Sequence, residues 1–90
     1  ISIGGIGAAH AYPTAPGALA PLAAQIRSQA AVPVAVSWGI ATPGLANEIV
    51  ASEQADLVFL GRALLRDPYW TLRAADALGA HSLWPAQMKR

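Results

Sequence analysis

The sequence predicts an α/β fold built on a parallel sheet, and three observations carry that prediction. Short apolar runs, each closed by glycine, recur three times within the 90 residues. Each run is followed by a stretch with helical periodicity, giving the order strand, helix, strand, helix, strand, helix. Two of the helical stretches open on a capping residue followed by proline, Thr42-Pro43 and Asp67-Pro68. Strands that alternate with helices form the βα repeat of a parallel sheet, with right-handed crossovers.

The first run, Ile1-Ser2-Ile3-Gly4-Gly5, reads as the closing half of a buried strand, and its start without methionine leads us to expect the C-terminal piece of a longer protein. Residues 6–17 form a long connection that Pro13 and Pro16 keep irregular. Connections of that length are often functional, so it is a candidate to lie across a binding site. In residues 18–30, Leu19, Leu22, Ala23 and Ile26 recur at helical spacing, with Pro21 in the first turn, where its missing N–H costs little. The run Val32-Pro33-Val34-Ala35-Val36-Ser37-Trp38-Gly39 is a second buried strand. Thr42 then caps a helix whose stripe is Leu45, Ala46, Ile49 and Val50 and which ends near Ser52. Residues 57–60 give a third strand, buried on both faces, followed by a short helical turn over residues 62–66. A last helix spans residues 69–78, with Trp70, Ala74, Ala75 and Leu78 as core candidates and Gly79 as its stop. Residues 80–90 are a tail without periodicity. Three βα units over residues 1–79 are either three-eighths of a (β/α)₈ barrel or half of an open doubly wound sheet. Both need more chain, because three parallel strands alone leave two unpaired edges and a bare face.

Composition narrows the function classes. The net charge of +1, with scattered basic residues, gives no electrostatic footprint for nucleic acid. With no cysteine, the chain has neither a disulfide framework nor a thiolate metal site, which fits a reducing compartment. No apolar run approaches the roughly 20 residues that span a bilayer. A soluble, cytoplasmic chain is therefore the expectation.

Chemistry in α/β folds collects at the carboxyl ends of the strands. Two consecutive strands end there in Ser37-Trp38-Gly39 and Gly61-Arg62. Glycine lets backbone N–H groups approach an anion, the helix start after Gly61 adds partial positive charge, and Arg62 adds a full one. The ligand implied is a phosphate, most simply that of a cofactor. The competing reading is that both glycines only turn the chain and Arg62 lies on a solvated face; the pairing of the two motifs sets the phosphate reading level with it. Trp38, at the mouth, is a candidate pocket wall. His10 and His81 lack partners at ligand spacing, so no metal site is expected. Glu48, Glu53, Asp67 and Asp76 read as solvated or capping groups, and Asp56 as a loop hydrogen-bond acceptor. No catalytic residue is expected in this segment.

The run from Ala55-Asp56-Leu57-Val58 through Leu60-Gly61-Arg62-Ala63-Leu64-Leu65-Arg66-Asp67-Pro68-Tyr69-Trp70 resembles the C-terminal signature of the old yellow enzyme family. The resemblance extends back through Thr42-Pro43, Ser37-Trp38-Gly39, Pro16-Gly17 and Ser2 with Gly4-Gly5. The Ser-Trp-Gly triplet and the Trp-Pro-Ala tail are most similar to the xenobiotic reductase branch of its thermophilic-like class. The resemblance implies a (β/α)₈ TIM barrel carrying FMN at its carboxyl mouth, of which this chain supplies strands six to eight. It implies that Ser37, Trp38, Gly39, Gly61 and Arg62 bind the cofactor and that Trp38 also lines the substrate pocket. By position Arg90 is an arginine finger reaching a neighbouring subunit in a homo-oligomer, although Met88-Lys89 departs from the family's residues there. The activity implied is that of an FMN-dependent NAD(P)H oxidoreductase, an ene-reductase of activated alkenes. Its substrate-gripping and proton-donating residues lie in the missing N-terminal part of the barrel, without which the segment is inactive. A different phosphate-binding barrel and an inactive structural fragment are the alternatives.

Overall fold

The computed structural model describes residues 1–3, 12–80 and 84–86. Helix α1 (Ala20–Ala30) is followed by strand β1 (Ala35–Val36), helix α2 (Pro43–Ala51), strand β2 (Leu57–Val58), and helices α3 (Arg62–Arg66) and α4 (Trp70–Ala77). The two strands are parallel, with Ala35 opposite Leu57 and Val36 opposite Val58. Their ladder is continued by Asp56 N donating to Val34 O at 2.8 Å and Phe59 N to Val36 O at 2.9 Å. On the other side of β1, Ile1 donates its amino group to Ala35 O and accepts from Ser37 N at 3.0 Å. One residue bonded to the two neighbours of Val36 is the pattern of a parallel ladder. The start of the chain thus lies beside β1 as expected, although too little of it is paired to count as a strand.

One face of this small sheet carries the core. Val34 and Val36 are buried with Ala20 and Ala23 of α1 and Ala46 and Ile49 of α2, while Val58 and Leu60 pack against the same cluster. Val36 and Ile49 are almost fully enclosed; each such side chain contributes about 1.5–3 kcal/mol. The helices sit where their start signals put them. Thr42 Oγ1 accepts from Leu45 N at 3.3 Å, and Pro43 takes the first turn of α2. Asp67 behaves differently: its Oδ1 accepts from Tyr69 N at 3.0 Å, and Tyr69 occupies the cap position of α4. Gly79 follows α4 at φ +72, a left-handed conformation suited to glycine.

Several expectations need correction. The regular part of each strand is two residues long, because only one neighbour is fully paired. Residues 57–60 are not buried on both faces: Leu57 is 63% and Phe59 60% exposed. Period-two alternation puts Val58 and Leu60 under the helices and leaves the opposite face bare. Leu22 and Ile26 of α1, Val50 of α2, and Leu78 are exposed rather than core. Alpha1 meets the sheet through the small residues Ala20 and Ala23, and two strands, only about 5 Å apart, are too narrow to cover the flanking leucine and isoleucine. Among the described residues, no helix is long and apolar enough to cross a membrane.

Candidate functional site

Both strands end at one cleft. Ser37, Trp38, Gly39, Ile40 and Ala41 form one side, Phe59, Gly61, Arg62, Ala63 and Arg66 the other, around a space of about 430 Å³. The five residues singled out as cofactor-binding, Ser37, Trp38, Gly39, Gly61 and Arg62, therefore lie together. Arg90, the tail residue assigned to the substrate pocket, falls outside the described residues. So do Gly4, Gly5, His10, His81, Met88 and Lys89. No group of three metal-ligating side chains occurs among the described residues.

The side after β1 is rigidly shaped. Trp38 and Gly39 are both left-handed, at φ 85 and φ 68. For a tryptophan this conformation is costly and is held only where its surroundings dictate it. Here they do. The indole Nε1 donates to Pro13 O at 2.8 Å, the ring lies 5.5 Å from that of Tyr12, and Gly17 N donates to Gly39 O at 3.1 Å. The connection before α1 thus grips the Trp38-Gly39 turn. A Cβ on Gly39 would lie 3.2 Å from Ala15 O and 3.3 Å from Gly17 N, so glycine is required there by the fold itself. Behind the cleft, Trp70 Nε1 donates to Ala41 O at 2.9 Å and ties α4 to this wall.

The side after β2 differs. Gly61 has φ −101, outside the left-handed region, and apart from its chain neighbours nothing among the described residues lies within 4 Å of where its Cβ would stand. Neither backbone strain nor internal packing demands glycine at this position. What its bare backbone provides is room for something to come close from outside.

The charges divide sharply. Four arginines are described. Arg27 pairs with Asp56 at 3.1 Å and Arg73 with Asp67 at 3.0 Å. Arg62 and Arg66 are in no ion pair with a described residue, and both line the cleft, which has no carboxylate among its described lining residues. At the opposite, amino end of the strands Asp56 accepts from Arg27 Nε at 3.1 Å and from Val34 N at 2.8 Å. The Arg27 hydrogen bond, then that from Val34, holds the Asp56 carboxyl below the usual carboxylate range. Asp56 is thus the hydrogen-bond acceptor its position suggested. Sequence reading missed Arg66 and Phe59 as cleft residues. The available signal for Arg66 was its spacing of four from Arg62, which places both on one face of a helical turn.

No family model matches the chain. Over 75 residues it is 43% identical to an NADPH dehydrogenase of Geobacillus thermodenitrificans, a match covering 83% of this chain and 22% of that protein. The chain is similar to NADPH dehydrogenases. The corresponding protein of Halalkalibacterium halodurans is 43% identical over 79 residues, covering 87% of the chain and 23% of the relative. That of Geobacillus sp. strain WCH70 is 48% identical over 65 residues, covering 71% and 19%. The chain thus spans about a fifth of the length of these NADPH dehydrogenases.

Proposed function

We propose that the cleft is the FMN-phosphate site of an NADPH-dependent flavin oxidoreductase of the old yellow enzyme family. The observation that carries the reading is a cleft at paired strand ends that, among the described residues, is lined by two arginines in no ion pair, a glycine that internal packing does not require, and no carboxylate. A phosphate dianion needs such a donor set. In this reading Arg62 binds the phosphate through its guanidinium. The backbone at Trp38, Gly39 and Gly61, with Ser37 beside it, completes the cradle, and the clamped Trp38 ring walls the pocket above. The similarity to NADPH dehydrogenases supports NADPH as the reductant. FMN, when bound, supplies hydride transfer from its N5 to the β-carbon of an activated alkene. The residues of this chain hold and orient the cofactor and exclude water; the groups that grip the alkene lie outside the chain.

The same reading makes the fold part of a (β/α)₈ barrel, with the start of the chain, β1 and β2 as strands six, seven and eight. The bare Leu57 and Phe59 face supports it, since parallel strands are ordinarily covered on both faces. The rest of the barrel and, through the tail with Arg90, a second copy of the chain are the partners proposed.

Purifying the protein from its native open reading frame tests the reading. A yellow protein releasing FMN on denaturation is expected, with Arg62→Ala losing most of its flavin while remaining folded. A colourless wild-type protein that takes up no added FMN would contradict it.

A further inference from the structure

Arg66 closes α3, one turn after Arg62, and both line the same cleft. Like charges four apart on a helix repel, and a short helix would ordinarily offset them with a nearby carboxylate. Elsewhere in this chain that is done: Arg27 and Arg73 each meet an aspartate. In the cleft it is not done. The acidic side chain nearest in sequence, Asp67, is engaged by Arg73 and by Tyr69 N. Two arginines that line one space of about 430 Å³, neither in an ion pair among the described residues, form a site for more negative charge than one arginine neutralises. The space also exceeds what a single phosphate fills.

We propose that Arg66 is a second phosphate anchor of this cleft, acting beside Arg62 on a phosphate-monoester dianion. The inference rests on the phosphate reading given above and extends it to a residue that reading does not use. Two sources have this chemistry: the 5′-phosphate of the flavin and the 2′-phosphate that distinguishes NADPH from NADH. An arginine in the last turn of a helix also complements the exposed carbonyls there, but that role affects stability and has no means of sensing a phosphate on a ligand.

The experiment uses the purified protein from its native reading frame, stripped of flavin, as wild type, Arg66→Met and Arg66→Lys. FMN and riboflavin are titrated by flavin fluorescence, and KM is measured for NADPH and NADH. Loss of one charge-assisted contact corresponds to about a tenfold effect or more. If Arg66 anchors the flavin, Arg66→Met weakens FMN about tenfold and leaves riboflavin unchanged. If it anchors the nicotinamide donor, KM for NADPH rises about tenfold and that for NADH does not. In either case Arg66→Lys recovers part of the loss. Should all four constants stay within about twofold of wild type in Arg66→Met, the proposal is overturned while the phosphate site stands. A wild-type protein that binds FMN no better than riboflavin and NADPH no better than NADH overturns both.

Discussion

The two ends of the β1–β2 pair use the same residue type in opposite ways. At the amino end Arg27 is matched to Asp56, which also takes the Val34 N–H, so this pair is answered within the chain. At the carboxyl end Arg62 and Arg66 line a cleft and have no ion-pair partner among the described residues. Glycine divides similarly within that end: Gly39 is required by its positive φ and close neighbours, Gly61 by neither. The amino end is structural because its groups are mutually satisfied. The carboxyl end is a binding site in this account because its groups are not.

Breaking each end separately sharpens the contrast. The largest effect is expected for Arg62→Ala, with FMN affinity falling about 10- to 100-fold, as for loss of a charged hydrogen-bond donor, and with thermal unfolding little changed. Gly39→Ala has the opposite signature. A side chain at φ 68 against Ala15 O and Gly17 N should cost about 1–3 kcal/mol in denaturant titrations. Trp38→Phe removes the bond to Pro13 O, costs about 1 kcal/mol, and loosens the pocket wall without abolishing flavin uptake. Asp56→Asn is the smallest and is visible mainly through pH. The Asp56 carboxyl is held below its ordinary value, so its contribution to stability is present above the usual carboxylate range and is lost as pH falls through the lowered value. Wild type should therefore lose stability on the acid side more steeply than Asp56→Asn, while flavin affinity is the same in both.

Much of this was legible in the sequence, for local reasons. Thr42-Pro43 announces α2, because a cap and a proline act within a single turn, and the expected turn over residues 62–66 coincides with α3. The pairing of the two strand ends followed from the βα repeat. Burial was less legible: the continuous run at residues 57–60 suggested two covered faces, whereas coverage depends on neighbours that the run does not encode. Nothing in Ser37-Trp38-Gly39 signals a left-handed tryptophan either. That conformation is imposed by Tyr12, Pro13 and Gly17 across the cleft's rim. Arg66 was hidden for a simpler reason, since a basic residue at a helix end is ordinarily read as solvated.

The central claim is that the unpaired end of the sheet recognises a phosphate. The most direct measurement compares FMN with riboflavin, which differ only in that group, as ligands of the flavin-free wild-type protein. The account predicts that FMN binds at least about 100-fold more tightly, the equivalent of two charge-assisted contacts, and that added salt narrows the gap. Equal affinities for the two flavins would contradict it.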